Sequence, residues 1–223
     1  MSEEACGAAL PRERPLYYYI TDRRALTPRA FCNRVRRLAA WGIDLIQVRE
    51  KDLSDLELCL LTEKVLSLVA GTRCRVLVNG RADIALAVGA HGVHLPSQGL
   101  RPADVRAWVP RGFLIGVSTH SLRQARMAEA EGADYILLGP VFETPSKLRY
   151  GPPLGLGMFR RTCRTVRLPV FGIGGITREA IQQVVDAGAV GVAAIRLFQE
   201  SAALDLPRMR SFGSARTPDV PGH

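Results

Sequence analysis

The sequence lacks the features of a membrane or secreted protein. Its 223 residues contain no apolar run long enough to span a bilayer. The first fifteen residues are charged, contain proline and have no apolar core of the kind that a secretory signal needs. We therefore expect a cytoplasmic protein that does not bind membranes.

Cysteine is scarce, and its spacing argues against two further classes of protein. The five cysteines are scattered and form no Cys-x-x-Cys pair, so they suggest neither a disulfide framework nor a metal site. With 47% hydrophobic residues, the chain is nevertheless long enough to bury the core of one domain.

A basic run with interleaved aromatic residues is also missing. The formal net charge is +9, but the cations are mostly arginines spread over the whole chain. Proteins that bind nucleic acids usually cluster such charge on one face or along one helix. The pattern favours solvated faces and an anionic small-molecule substrate, and we expect no nucleic-acid partner.

Short apolar segments alternate with segments of helical periodicity eight times. Glycine turns such as Val88-Gly89-Ala90 end three of the helical segments and lead into new strands. This order predicts an α/β protein with a (β/α)8 TIM barrel, and it disfavours an open doubly wound sheet because polar residues follow nearly every strand. The predicted strands are Leu16 to Thr21, Asp44 to Val48, Arg75 to Val78, Gly92 to Leu95, Phe113 to Val117, Tyr135 to Leu138, the run from Pro169, and Val190 to Ile195.

The domain prediction follows from the same pattern. Residues 1–15 are expected to be a disordered lead-in, residues 16–206 the barrel, and residues 207–223 a loose tail. The last helix of the barrel is predicted from Phe198 to Leu206. The oligomeric state stays open, with a homodimer formed through the outer helices as one arrangement.

A glycine-rich stretch follows the predicted seventh strand and indicates a phosphate site. The run Phe171-Gly172-Ile173-Gly174-Gly175-Ile176 ends an apolar segment, and Thr177 is a candidate N-cap for a helix from Arg178. Glycines let backbone N–H groups approach a ligand closely. In TIM barrels, phosphate sites are frequently built after strands seven and eight.

Cations and one histidine supply the remaining chemistry at the predicted strand ends. Arg49 and Lys51 follow strand two, and Lys147 lies after strand six between Thr144, Ser146 and Tyr150. Such groups suit an acidic, phosphorylated substrate. His120 follows strand five and is the best acid–base candidate.

Other titratable groups are weaker candidates. Glu50 and Glu143 are alternative bases, although each could equally pair with neighbouring cations. His94 lies on the fourth strand, where we expect it to be packed or to support a neighbour through a hydrogen bond.

Carboxylates are absent where a magnesium site would need them. The third and fourth strand exits read Asn79-Gly80-Arg81 and Pro96-Ser97-Gln98-Gly99. Magnesium is usually bound by one or two carboxylates together with substrate phosphates. We therefore expect no metal and no cofactor.

Five ordered motifs resemble those of thiamine phosphate synthase and its relative, the thiazole tautomerase. The resemblance covers about residues 16–200 and implies a (β/α)8 barrel. The motifs are Gln47-Val48-Arg49-Glu50-Lys51, Val78-Asn79, Gly116-Val117-Ser118-Thr119-His120-Ser121, the run from Gly139 to Lys147, and the run from Gly172 to Ile176.

The resemblance also implies roles for individual residues. In the synthase, the matching positions hold a pyrimidine diphosphate (Gln47, Arg49, Lys51, Asn79 and Lys147), line the site (Ser118, Thr144 and Ser146) and take a thiazole phosphate (the loop with Gly172, Gly174 and Gly175, and the strand-eight exit at Ile195 and Arg196). The synthase pattern has aspartates where this chain has Gly80 and Gly99, and a serine where it has Arg196.

The tautomerase looks closer at residues 78–81, 95–97 and 141–144, and its catalytic histidine falls in the segment that matches His120. Our leading hypothesis is a metal-independent thiazole tautomerase that acts on a phosphorylated thiazole, with His120 and Glu143 as catalytic residues. The alternative is thiamine phosphate synthase, which would require Mg²⁺. A third hypothesis is a non-catalytic barrel that binds thiamine precursors.

Overall fold

The computed structural model describes residues 10–11, 13–144 and 152–200. The predicted site residues Ser146 and Lys147 lie outside these ranges, as do most of the predicted lead-in and the whole predicted tail.

Eight parallel strands close into a barrel, which confirms the predicted fold. Each strand pairs with the next one along the chain, and the eighth pairs with the first, so the open-sheet alternative is excluded. The strands are β1 Leu16–Ile20, β2 Leu45–Val48, β3 Arg75–Asn79, β4 Gly92–Leu95, β5 Leu114–Thr119, β6 Tyr135–Leu138, β7 Val170–Ile173 and β8 Gly191–Ala194.

Helices connect the strands and surround the barrel. They are α1 Pro28–Ala40, α2 Asp55–Val69, α3 Ala82–Ala87, α4 Pro102–Arg106, α5 Leu122–Ala130, α6 Gly155–Thr165, α7 Ile181–Asp186 and α8 Arg196–Glu200, with one 3-10 turn at Arg23–Ala25. Local sequence explains several of their ends. Ser54 and Glu57 form a reciprocal capping box at the start of α2, and Gly132 turns the chain out of α5 with a φ of 82°.

Two predicted helix starts are wrong. Helix α7 begins at Ile181 rather than Arg178, and its N-cap is Ala180 without a side-chain cap. The Thr177 carbonyl accepts the Ala180 N–H in a separate turn, and the Thr177 hydroxyl bonds Glu179 instead of capping the helix. Helix α8 begins at Arg196, two residues before the predicted start.

Ordered structure extends beyond the predicted N-terminal limit of the barrel. Leu10 is buried in the apolar cluster inside the barrel. The Arg14 guanidinium pairs with the Asp44 carboxylate at 2.6 Å, and Asp44 also accepts the Tyr17 N–H. Leu10 and Arg14 lie in the segment for which we predicted disorder, and both contact the barrel.

Side-chain alternation along the strands divides the core into two layers. Inward-facing residues such as Leu16, Tyr18 and Phe171 fill the barrel. Outward-facing residues such as Tyr17 and Tyr19 pack in the layer that the helices cover. None of the helices within the described ranges is long and apolar enough to cross a membrane.

Candidate functional site

The carboxyl ends of the strands bring most of the predicted site residues to one end of the barrel. Active sites of TIM barrels lie at this end because all eight strands point towards it. Asn79 and Ser118 occupy the last inward positions of β3 and β5 and are half-buried. We call this end the barrel mouth.

Gln47 lies deeper than we expected from the resemblance. Its side chain is only 1% exposed, and its Nε2 donates to the Tyr18 hydroxyl at 2.9 Å. Arg49, two residues further along, is half-buried, and its N–H donates to the Thr21 hydroxyl at 3.0 Å. The structure therefore brings Arg49 to the mouth and keeps Gln47 in the barrel interior.

A cavity of about 300 Å³ lies between the exits of β2 and β3. Its lining includes Lys51, Asn79 and Gly80. Two carboxylates near it are already paired, because Arg81 bonds both Asp55 and Asp83. The hydrogen bonds to this guanidinium lower the pKa of both carboxyl groups.

Glu50, which we considered as a base, joins two strand exits instead. It is 6% exposed, and its carboxylate accepts the Thr21 hydroxyl at 2.6 Å and the Arg23 N–H at 3.0 Å. Burial raises the pKa of this carboxyl group, and the two hydrogen bonds partly oppose that effect. These contacts hold Glu50 in the wall of the cavity and give it a structural role there.

The two positions at which the synthase pattern has aspartates do not suit a magnesium ion in this chain. A Cβ built on Gly80 would lie 3.6 Å from Pro96, and one on Gly99 would lie 3.1 Å from the same proline. Side chains at these two positions would therefore both lie beside Pro96, but glycine supplies no side chain at either one. The described part of the chain contains no group of three or more His, Cys, Asp or Glu residues placed to hold a metal ion.

His120 lies exposed at the end of β5 with a defined orientation. Its Nδ1 donates to the Gly139 carbonyl at 2.6 Å, and its backbone N–H donates to Gln124 Oε1 at 2.6 Å. Because a carbonyl oxygen can only accept, Nδ1 carries a hydrogen. Nε2 is thus the atom of this imidazole that can take up or release a proton.

The segment after β6 carries the other predicted residues of this side. Glu143 is exposed and Thr144 is buried. The Phe142 N–H donates to the Gly174 carbonyl at 3.1 Å, which ties this segment to the glycine loop after β7. Glu143 and Thr144 therefore lie beside the predicted phosphate loop.

Glycine is required in this loop for close packing as well as for backbone conformation. Gly174 and Gly175 have φ values of 92° and 67°, a region that other residues rarely adopt. A Cβ on Gly175 would also collide with the segment around Phe142. Among the described residues, no acceptor is found for the N–H group of either glycine.

The remaining residues predicted for phosphate binding are placed unequally. Gly172 faces away from the barrel interior, and a Cβ there would meet Val184 and Phe159. Ile195 is half-buried against the inner cluster, and Arg196 is exposed at the first position of α8. Gly172 is therefore a packing residue, whereas Ile195 and Arg196 lie at the mouth.

His94 is buried and neutral, which confirms the prediction that it packs inside the barrel. It is 2% exposed and bonds Tyr135 and Ser118. Burial, and to a smaller extent the charge of Arg49, lowers its pKa to about 3. Sequence reasoning did not find its partners, although the alternation along β1, β4 and β6 places Tyr18, His94 and Tyr135 on inward faces.

The buried imidazole predicts a pH dependence of stability. Its pKa is about 3 when folded and about 6.5 when unfolded, so protonation favours the unfolded chain. Its contribution is complete above pH 6.5 and is lost as the pH falls towards 3, by about 1.4 kcal/mol per pH unit. The free energy of unfolding, measured with urea between pH 4 and 6, should rise with pH less steeply in His94→Gln than in the unaltered chain, by that amount per pH unit. The same pH dependence in both proteins would contradict the assignment.

Comparisons with known proteins agree with this geometry. A family described as "Thiamine monophosphate synthase" matches residues 17–198. A putative thiamine-phosphate synthase 2 of Aquifex aeolicus is 42% identical over 188 residues, which are 84% of this chain and 100% of the relative. A thiamine-phosphate synthase of Roseiflexus castenholzii is 42% identical over 186 residues, 83% of this chain and 81% of the relative.

Solved structures give the same result. Thiamine phosphate pyrophosphorylase from Pyrococcus furiosus superposes with a TM-score of 0.80 at 29% identity, covering 90% of this chain and 98% of that one. The names of these relatives favour the synthase over the tautomerase that we placed first. On the matching family and the extent of these similarities, the chain belongs to the thiamine monophosphate synthase family.

Proposed function

We propose that this chain is an enzyme of thiamine biosynthesis that isomerises a phosphorylated dihydrothiazole carboxylate to its aromatic thiazole tautomer without a metal ion. One observation carries the choice of reaction. Gly80 and Gly99 both face Pro96, so neither of the two residues at the aspartate positions of the synthase pattern offers a ligand for Mg²⁺. Tautomerisation needs proton transfer and does not need such an ion.

The substrate phosphate would bind at the glycine loop. The N–H groups of Gly174 and Gly175 have no acceptor within the described residues, and Arg196 adds a cation at the neighbouring β8 exit. Backbone N–H groups together with a guanidinium form strong hydrogen bonds to phosphate oxygens. This arrangement would fix one end of the substrate.

The substrate carboxylate would face the cations after β2. Arg49 is half-buried at the mouth, and Lys51 is exposed on the wall of the cavity between β2 and β3. Half-buried cations attract an anion more strongly than fully solvated ones because water screens them less. The thiazole ring would then lie over the mouth, between the phosphate and carboxylate subsites.

His120 would transfer the proton. Its Nδ1–H is held by the Gly139 carbonyl, which leaves Nε2 to remove a proton from a ring carbon and to return it to the exocyclic carbon whose double bond moves into the ring. One C–H bond of the ring is broken, one C–H bond of the exocyclic carbon is formed, and the double bond shifts into the ring, so atoms and electrons balance and the ring becomes aromatic. Glu143 is exposed beside the glycine loop and is the second group on this side that could exchange a proton.

A direct assay tests the proposal. The purified chain is mixed with the dihydrothiazole carboxylate phosphate in the presence of EDTA, and the growth of aromatic thiazole absorbance is followed. We expect a rate well above that of buffer alone. A rate equal to the buffer rate would remove tautomerase from consideration; binding without turnover would support the non-catalytic barrel.

The second candidate is the synthase reaction, which joins hydroxymethylpyrimidine diphosphate to thiazole phosphate. The family match and the names of the relatives favour it. The side chains present do not fit the Mg²⁺ that the reaction requires, so we expect weak coupling activity or none.

Restoring the two carboxylates tests this explanation. Gly80→Asp combined with Gly99→Asp should raise Mg²⁺-dependent release of pyrophosphate by about 100-fold, because both side chains would meet beside Pro96. The matched control is Gly80→Ala with Gly99→Ala, which adds side chains without charge and should give no increase. Strong coupling by the unaltered chain would instead make the synthase the leading assignment.

A further inference from the structure

Four hydrogen bonds run across the barrel interior and end at Ser118. Gln47 Nε2 lies 2.9 Å from the Tyr18 hydroxyl, which lies 2.9 Å from the Tyr135 hydroxyl. The Tyr135 hydroxyl lies 3.2 Å from His94 Nδ1, and His94 Nε2 lies 2.8 Å from Ser118 Oγ. Because they link five strands (β1, β2, β4, β5 and β6), we call these bonds the interior network.

The interior network is closed to solvent except at its last residue. Gln47, Tyr18, Tyr135 and His94 are each at most 2% exposed, whereas Ser118 is half-buried at the mouth. Buried polar groups of this kind satisfy their hydrogen bonds within the protein. The orientation of each hydrogen is therefore decided by the neighbouring groups of the network.

The direction of the network follows from its first member. The Gln47 amide nitrogen can only donate, so the Tyr18 oxygen accepts there. The Tyr18 hydrogen then has the Tyr135 oxygen as its one acceptor within the described residues, so Tyr18 donates to Tyr135. Tyr135 in turn donates to His94 Nδ1. A neutral imidazole that accepts at Nδ1 carries its hydrogen on Nε2, and that hydrogen is donated to Ser118 Oγ.

We propose that the interior network fixes Ser118 as a hydrogen-bond donor to the bound substrate, with His94 and Tyr135 as positioning residues. Ser118 Oγ already accepts from His94, so its own hydrogen is free to point into the mouth. An anionic oxygen of the substrate is the acceptor that this arrangement suits. The inference rests on the proposed function only for the identity of that substrate.

The same direction excludes a different role for Ser118. If His94 accepted the Ser118 hydrogen at Nε2, the pair would resemble a nucleophile with its base. Since Nε2 carries a hydrogen in the interior network, His94 cannot take one from Ser118. Burial beside Arg49 also disfavours the protonated imidazole, so the neutral form persists at physiological pH.

The tautomer of His94 can be read without any substrate. In protein labelled with ¹⁵N-histidine, we expect His94 Nδ1 to show the shift of an unprotonated nitrogen and Nε2 that of a protonated one, unchanged from pH 5 to 8. The signals are assigned by their loss in His94→Gln. The opposite tautomer, with the hydrogen on Nδ1, would overturn the proposal.

A matched pair of tyrosine variants tests the positioning role. Tyr135→Phe removes the donor to His94 Nδ1, and it should change the ¹⁵N shifts of His94 and weaken binding of the thiazole carboxylate phosphate about tenfold. Tyr19→Phe removes an equally buried hydroxyl that bonds Gln199 outside the network, and it should change neither. Unchanged His94 shifts in Tyr135→Phe would overturn the proposal.

The tautomerase assignment can fail while the proposal for the interior network holds. A chain that shows the expected tautomer but does not turn over the dihydrothiazole supports the interior network and contradicts the tautomerase assignment. Thermal unfolding of both tyrosine variants shows whether an altered signal comes from a folded protein.

Discussion

Replacement of His120 by alanine is expected to lower the rate of tautomerisation by about 100-fold or more, since a positioned acid–base group contributes that much to proton transfer. The imidazole is exposed, and within the described residues its side chain makes one hydrogen bond, to the Gly139 carbonyl. Stability should therefore change little, and the loss should appear in kcat. The measurement is the aromatic absorbance assay together with thermal unfolding.

Two control variants separate chemistry from structure. His120→Asn keeps a side-chain N–H that can reach the Gly139 carbonyl but has no titratable group, so it should be as inactive as the alanine variant. Arg123→Ala removes an exposed cation one turn further along the chain and should leave the rate unchanged. Full activity in His120→Ala would remove this residue from the mechanism and leave Glu143 as the proton carrier.

Replacement of Gly116 by alanine is expected to destabilise the fold by about 3 kcal/mol, the upper part of the range for overpacked cores. The added Cβ would overlap the phenol ring of Tyr135 on the neighbouring strand. Tyr135 is fully buried, contacts Tyr18, His94 and Phe171, and bonds two of them, so it has no free space to occupy. Urea unfolding at neutral pH measures the loss.

Gly157 provides the matched control. It is exposed in helix α6, and a Cβ there would meet no atom within 4 Å. Gly157→Ala should stabilise the chain by about 0.5 to 1 kcal/mol, because alanine favours the helix over glycine. The packing described for the barrel interior would be contradicted if Gly116→Ala changed the free energy of unfolding by no more than Gly157→Ala does.

The fold could be predicted from the sequence because its signals are local. Each strand is a short apolar run, and several helices end at a glycine in the left-handed conformation, as at Gly89 and Gly132. Such signals depend on neighbouring residues alone. The start of α7 could not be predicted in this way, because Thr177 is an ordinary N-cap by type but bonds Glu179 in the folded chain.

The sequence allowed us to predict the site residues that lie at strand ends. It did not allow us to predict those whose position depends on contacts with residues far away in the chain. Four predicted residues reach the mouth because each lies at the carboxyl end of a strand or just after it. They are Arg49, Asn79, Ser118 and His120. The burial of Gln47 and the outward direction of Gly172 depend on which face of the strand each residue occupies. The partners of His94 lie 24 and 41 residues away, so only the register of the strands reveals them.

Family membership and the choice of reaction rest on different residues. The match over residues 17–198 covers the whole barrel and shows the family. The choice depends on two glycines beside Pro96 and on one exposed imidazole. The names of the relatives favour the synthase reaction, whereas the tautomerase proposal depends on these residues.

One paired assay tests the central claim most directly. A single preparation is given the dihydrothiazole carboxylate phosphate in EDTA, and separately the pyrimidine diphosphate and thiazole phosphate with Mg²⁺. We expect rapid tautomerisation that EDTA does not affect, and little or no release of pyrophosphate. Rapid, Mg²⁺-dependent release of pyrophosphate without acceleration of tautomerisation would contradict the account.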